Sequence, residues 1–335
     1  MSSLRLSVCI PTYNFGAFIG ATLDSIVAQA TGEIEIVIVD GASTDDTAHV
    51  VQKIGHVFPR LRFYRRDING GVDVDLAKAV ELARGDYCWL MSGDDVLAPR
   101  AMERVLDELE EEHDVYLCNR TECDRDLTPI TQRPWLARDC RDEVFQFASS
   151  ADFMGYFRKA RSLGALFSYI SSIITRRDKW LAVRPDERLA GSHYAHVFRL
   201  FSLLKNRGSL KYIRDSLVLC RGDNDSFAGK GMLKRIALDL DGFELLASRL
   251  FDEPPVREAF KAVMRREHVW FHLAGLRNRT TDMGMWNAFE RKLLAYHYSP
   301  AQLYIVKTLA AWPFILPLAR RINHVLRARG RLPAG

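Results

Sequence analysis

The 335-residue chain is 48% hydrophobic and 27% charged, which leaves room for one large domain or two modest ones with a sizeable core and excludes a low-complexity polymer. Its cysteines, Cys9, Cys88, Cys118, Cys123, Cys140 and Cys220, form no CxxC pair, which excludes the usual zinc modules and fits reduced, structural thiols in a cytosolic compartment. The net charge of +5 is unevenly placed: no acid follows Glu290 whereas eight Lys and Arg do, so the rest carries −3, and the basic tail points to a polyanionic partner.

The N-terminus lacks the charged segment, apolar run and cleavage site of a signal peptide, so none is expected. LSVCIP reads as a strand, and AFIGATLDSIVAQ as a helix through Phe18, Ile19, Leu23, Ile26 and Val27. EIEIVIVD is a second strand, and TAHVVQKI a helix with Ser43 and Asp46 as its capping-box pair. LRFYRR is a third strand, followed by a helix over GGVDVDLAKAVELARG that Gly85 should close. DYCWLM is a fourth strand. After it come Ser92-Gly93-Asp94-Asp95 and a helix in VLAPRAMERVLDELEEE with Pro99 at its first position; DVYLCN is a fifth strand. From Thr121 the signal is less regular: DLTPITQRPW reads as a loop or hairpin, ALFSYISSIITRRDKWLAV as a strand and short helix, SHYAHVFRLFSLLKNRG as a helix. From Gly231 the pattern is almost wholly helical: MLKRIALDLDGFELLASRLF, one run over VREAFKAVMRREHVWFHLAGLR, and a last segment from SPAQLYIVK onward.

Alternating strands and helices imply a mostly parallel sheet, whose ligands bind beyond the carboxyl ends of the strands. Those ends carry Pro11-Thr12-Tyr13-Asn14, Asp40-Gly41-Ala42-Ser43, Arg66 to Gly71, and Ser92 to Asp95. No GxGxxG and no Walker lysine loop is present, which excludes the dinucleotide and P-loop readings. The adjacent acids Asp94 and Asp95 have two readings: caps for the helix that follows, or a cation site.

Together SVCIPTYN, EIVIVDGASTDDT, NGGVDVDLAKAVELARGDY and LMSGDD resemble, in order and spacing, the nucleotide-sugar domain of family 2 glycosyltransferases, which has the GT-A fold. The resemblance is strong over residues 4–120 and weak over 121–208. It implies an α/β GT-A domain over residues 1–220, with a nucleotide-binding half (1–120) and an acceptor half (121–220). A helical region over 221–335 follows, ending in a basic tail over 299–335. It further implies that Asp94, with Asp95 beside it, meets a divalent cation (Mg²⁺ or Mn²⁺) or the donor's diphosphate. Asp40 would contact the base or ribose. Pro11, Tyr13 and Asn14 would form the first nucleotide loop, and Asn69 to Gly71 the family's Asn-x-Gly turn. Two departures stand out: Ser92 and Gly41 occupy positions where the family commonly has Asp, which should lower the local negative charge. The SGDD variant and the helical tail resemble the O-antigen subgroup, abequosyltransferases among them.

Family 2 enzymes usually invert the anomeric centre, with a carboxylate as general base. Aligning back from Arg199-Leu200 puts Ser192-His193 at the family's Glu-Asp pair, so His193 is the first candidate base, with Asp186 and Glu187 as alternatives. The tail is apolar over Leu303 to Ala319 apart from Lys307 and Thr308, broken by Pro313 and Pro317, and then arginine-rich. That suits an interfacial segment on an anionic membrane, with a packed terminal helix as the other reading; nucleic acid is not expected as a partner. The expectation is thus a cytoplasmic enzyme on the inner face of the plasma membrane, taking a nucleoside diphosphate sugar and a lipid-linked glycan acceptor. A nucleotidyltransferase and a non-catalytic assembly protein are the competing readings.

Overall fold

The computed structural model describes residues 4–222, 224, 231–312 and 314. The chain divides into two compact units, residues 1–156 with 164–224 and residues 157–163 with 225–335.

The first unit opens with β1 (Leu6–Thr12), α1 (Ile19–Val27), β2 (Ile34–Asp40), α2 (Thr47–Val57), β3 (Leu61–Arg65), α3 (Val72–Leu82) and β4 (Tyr87–Leu90). A two-residue strand β5 (Val96–Leu97), α4 (Ala101–Glu108), β6 (Val115–Cys123), β7 (Pro129–Gln132), β8 (Glu143–Gln146) and α5 (Ser150–Lys159) follow. Then come β9 (Ile173–Arg176), α6 (Arg177–Ala182), α7 (Ala195–Lys205) and β10 (Ser209–Cys220). The sheet order is β3-β2-β1-β4-β9-β6-β10-β5, with β7 on β6 and β8 on β10. The β3-β2-β1-β4 half is parallel, β9 runs antiparallel between β4 and β6, and β6 and β10 are again parallel. The carboxyl ends of β1, β2, β4, β6 and β10 therefore share one edge.

Strands β1 and β2 are buried along their whole length, as expected of parallel strands covered on both faces. Glu35, an acid inside β2, accepts from Ser7 Oγ at 2.7 Å and from the Arg84 N–H at 2.6 Å. Gly85 is needed for space: a Cβ there would stand 2.8 Å from the Ser7 nitrogen. It is not the cap of α3, which ends at Leu82 with Ala83 extended. The expected capping box is also absent. Asp46 is the N-cap of α2 without a side-chain bond, and Ser43 bonds Asp40 instead. Helix α4 starts two residues beyond Pro99, at Ala101, because Arg100 adopts a left-handed conformation.

The second unit contains α8 (Met232–Leu250), α9 (Pro254–Glu267), α10 (Trp270–Arg279), α11 (Met283–Ala295) and α12 (Pro300–Ala311). The single helix expected from VREAF onward is two, broken at His268, whose freed carbonyl accepts the Tyr298 hydroxyl at 2.8 Å. Helix α12 has a capping box of Ser299 and Gln302, buries Leu303, Val306 and Ala310, and is tied to α10 by Asn278 Nδ2 donating to the Ala310 carbonyl. The start of the tail is thus a packed helix, while Pro317 and the terminal arginines lie outside the described residues. Among the described residues no helix is long and apolar enough to cross a membrane.

Candidate functional site

Asp40 ends β2 and is fully buried. Its Oδ1 accepts from the Ser43 N–H at 3.0 Å and from the Ser43 hydroxyl, which folds the following loop around the acid. Its Oδ2 has no hydrogen-bond donor and faces Arg65 Nε at 3.5 Å. Tyr13 is 44% exposed beside it on the β1 loop. Pro11, by contrast, is buried within β1, in register with Val39, which removes it from the loop. Asn14 is a brace: in left-handed conformation it accepts from the Thr44 N–H at 2.8 Å, while its own N–H donates to Ser43 Oγ at 2.9 Å. Asn69 Oδ1 accepts from the Gly71 N–H at 2.8 Å, and Gly71 has φ +80° at the N-cap of α3, a conformation suited to glycine.

The turn after β4 separates the two adjacent acids. Asp94 is partly exposed; Ser92 Oγ donates to its Oδ1, and Asn224 Nδ2 donates to its Oδ2 at 2.9 Å. Asp95 points inward and is 2% exposed. Ser171 Oγ donates to one of its oxygens at 2.5 Å and the Arg221 N–H to the other at 3.2 Å. Burial, reinforced by Asp94, pushes its carboxyl up to about 7 against the opposing bond from Ser171 and the charge of Arg120. Each Asp95 oxygen accepts one hydrogen bond within the protein, which leaves Asp94 the more exposed of the two carboxylates. Among the described residues no group of three or more His, Cys, Asp or Glu could hold a metal by itself.

Two arginines lie near the carboxyl ends of the neighbouring strands β10 and β6. Arg221 follows β10, donates from Nε to the Asp94 carbonyl at 3.0 Å and from Nη1 to the Arg125 carbonyl at 2.5 Å, and lies over the Phe18 ring. Arg120, on β6, is held between the rings of Tyr169 and Trp135 at 4.3 and 5.0 Å.

His193 precedes α7 with φ +67°, a strained conformation for a non-glycine residue and one that functional sites often retain. Its N–H donates to Asp73 Oδ2 at 2.8 Å, and the Ala195 N–H donates to Asp73 Oδ1 at 3.3 Å. A carboxylate on α3 thus holds the start of α7. Asp186 accepts from Arg188 through its N–H at 3.1 Å and its Nε at 3.0 Å; Glu187 is exposed. Asp73, Asp75, Arg120, Arg221 and Asn224 were missed by sequence reasoning. The acids at 73 and 75 carry a usable signal, since acids in a first helical turn favour its positive end. Arg221 has a weaker one, a polar turn directly after a strand.

The model of the family described as glycosyl transferase family 2 matches residues 7–172. An abequosyltransferase of Salmonella typhimurium is 37% identical over 277 residues, which is 80% of this chain and 82% of the relative. Among solved structures, residues 1–349 of S. aureus TarS in complex with UDP-GlcNAc give a TM-score of 0.64 at 16% identity, covering 87% of this chain and 80% of that one. A mannosyltransferase of Pyrobaculum calidifontis in complex with GDP-Man and Mn²⁺ gives 0.52 at 16% identity, covering 93% and 88%.

Proposed function

Because the chain belongs to glycosyl transferase family 2, we propose that it moves one sugar from a nucleoside diphosphate donor to a lipid-linked or polysaccharide acceptor, with inversion at the anomeric carbon. It is a glycosyltransferase of GT-A fold. Its likeness to an abequosyltransferase supports a place in surface-glycan assembly of the O-antigen kind and a deoxysugar as the transferred group. The observation that carries the reading is the gathering of Asp40, Asp94 and Arg221 at one sheet edge, each at the end of its own strand.

In this reading the nucleoside lies against Asp40 and Tyr13, and the diphosphate meets the turn at Asp94. One partly exposed carboxylate, with the Ser92 hydroxyl on it and Asp95 turned inward, fits a hard divalent cation that takes its remaining ligands from phosphate and water. Asp94 would hold Mg²⁺ or Mn²⁺, which supplies Lewis-acid neutralisation of the leaving diphosphate. Arg221, fixed by two carbonyls, adds a permanent positive charge at the same turn. The acceptor hydroxyl attacks the anomeric carbon, the bond from that carbon to the diphosphate oxygen breaks, and the hydroxyl proton passes to the His193 imidazole. Glu187 and Asp186 are the alternative proton acceptors, with Asp186 already bonded to Arg188.

We assign transfer to the unit that ends at Asn224 and holds Arg221, somewhat past the expected boundary at 220, and an accessory role to the residues that follow it. Exposed Tyr304, Ile305, Trp312 and Phe314, followed in sequence by arginines, support attachment to the anionic inner face of the plasma membrane. The test is calorimetric titration of UDP, CDP, GDP and dTDP with Mg²⁺ or Mn²⁺, and again with EDTA, on wild type and Asp94→Asn. Metal-dependent binding of a diphosphate that Asp94→Asn weakens at least about 10-fold, as loss of a charged contact implies, is the expected result. No binding of any nucleotide by folded wild type would return Asp94 to helix capping and refute the donor site.

A further inference from the structure

Gly41 stands where the family commonly has Asp, and its surroundings show what took that place. A Cβ added to Gly41 would lie 2.6 Å from Asp75 Oδ2, 3.4 Å from Asn69 Oδ1 and 3.6 Å from the Thr12 carbonyl oxygen. The carboxylate of Asp75, reaching across from the first turn of α3, therefore occupies the space of a residue-41 side chain. Asp75 is 2% exposed and Asp40 fully buried. Neither Asp75 Oδ1 nor Asp40 Oδ2 receives a hydrogen bond. Each faces one arginine at 3.5 Å, Arg66 for Asp75 and Arg65 for Asp40. The two acids also interact: burial first, with Asp40 adding to it and Arg66 opposing, pushes the Asp75 carboxyl up to about 6.

Two buried carboxylate oxygens at one site that lack a hydrogen bond are costly and call for an explanation. The three atoms nearest a residue-41 side chain are all acceptors, the Asp75 carboxylate, the Asn69 amide oxygen and the Thr12 carbonyl oxygen, and of these the last two already accept from the Gly71 and Gly41 N–H groups. A group that completes the Asp75 and Asp40 carboxylates must bring N–H or O–H donors. At the end of β2 in a donor site, that group is the nucleoside. A carboxylate discriminates sharply between bases, since it accepts from an amino or imino N–H and is repelled by a ring carbonyl.

We propose that Asp75 is a specificity-determining residue for the donor, supplying from α3 the carboxylate that residue 41 lacks and setting, with Asp40, which base is accepted. This rests on the donor-site reading above. The test is the affinity ranking of UDP, CDP, GDP and dTDP, each with Mg²⁺, on wild type, Asp75→Asn, Gly41→Ala and the double variant G41D/D75A. The Asn variant removes the charge, the Ala variant leaves it and pushes the carboxylate aside through the 2.6 Å contact, and the double variant returns an acid to residue 41.

The expected result is a preferred base in wild type. Asp75→Asn and Gly41→Ala each weaken that diphosphate by about 10–100-fold, the value of a hydrogen bond to a charged group. The other three change by less than about threefold, and G41D/D75A recovers the ranking. Folded Asp75→Asn with the wild-type ranking and affinity would overturn this inference and leave the donor site standing. Should Asp75→Asn fail to fold, Gly41→Ala decides by the same criterion. Wild type that binds no nucleotide would overturn the donor site itself.

Discussion

Asp73 is the residue whose removal tests the proposed acceptor half most directly. Its carboxylate accepts from the N–H of His193 at 2.8 Å and of Ala195 at 3.3 Å, and is 9% exposed. A hydrogen bond to a charged group contributes about 1.5–3 kcal/mol, the longer bond the lesser share, and a carboxylate at a helix N-terminus adds about 0.3–1 kcal/mol. Asp73→Ala should therefore cost about 3 kcal/mol, seen as a fall in Tm of about 6–12 °C for a unit of this size. The same substitution frees His193 from φ +67°, a conformation that costs about 1–2 kcal/mol and that the chain then has reason to leave. If His193 takes the acceptor proton, kcat falls by about 5–30-fold at a donor KM within twofold of wild type, the rate equivalent of that energy. Asp73→Asn, which keeps one acceptor oxygen, should fall between wild type and Asp73→Ala in both readouts. Calorimetric melting and steady-state transfer on the same preparations measure both. A lowered Tm with unchanged kcat would refute the role of His193 and leave Asp73 a clamp on α7; an unchanged Tm would refute the bonding argument itself.

Three further outcomes are expected. Gly85→Ala puts a Cβ 2.8 Å from the Ser7 nitrogen and 2.9 Å from the Leu6 carbonyl carbon, backbone that cannot swing away, and should cost about 1–3 kcal/mol in a denaturant titration with no change in nucleotide affinity. Asp75 has a carboxyl raised from 3.8 to about 6 by burial and by Asp40, against Arg66. The native state then binds more protons than the unfolded one between those values, so this group's stability is present at low pH and lost as pH rises to about 6. The full loss is at most about 3 kcal/mol, and melting Asp75→Asn beside wild type at pH 4 and pH 7.5 should show the variant gaining relative stability at the higher pH. Replacing exposed Trp312 and Phe314 with Ser should lower the fraction of protein floating with phosphatidylglycerol vesicles while leaving the Tm unchanged.

Strands β1 and β2 were legible because both read as unbroken apolar runs and both are buried throughout. Their ends, with that of β4, are enough to place Asp40 and Asp94 at one edge. What was illegible depends on contacts far apart in the chain. The inward turn of Asp95 is set by Ser171, 76 positions away, and Asn224 reaches Asp94 across 130 positions. Gly85 was read as a helix cap from its neighbours, whereas its reason lies on β1. The break at His268 escaped periodicity because both sides of it remain apolar at helical spacing, and the tyrosine that takes its carbonyl comes 30 positions later.

The two departures from the family pattern have opposite outcomes, and the difference bears on what the site can hold. At residue 41 the space of the missing acid is taken by Asp75, so in the proposed donor site the nucleoside end has two carboxylates, Asp40 and Asp75. At residue 92 nothing acidic takes over. The Ser92 hydroxyl donates to Asp94, Asn224 donates to its other oxygen, and Arg221 is fixed alongside. In the proposed site the diphosphate end would thus present one partly exposed carboxylate flanked by neutral donors and a cation. By Coulomb's law such a turn attracts a divalent ion less than a pair of carboxylates does and repels the donor's diphosphate less. Affinity for the donor should accordingly lean more on Arg221 and less on the metal than in a site with acids at both positions.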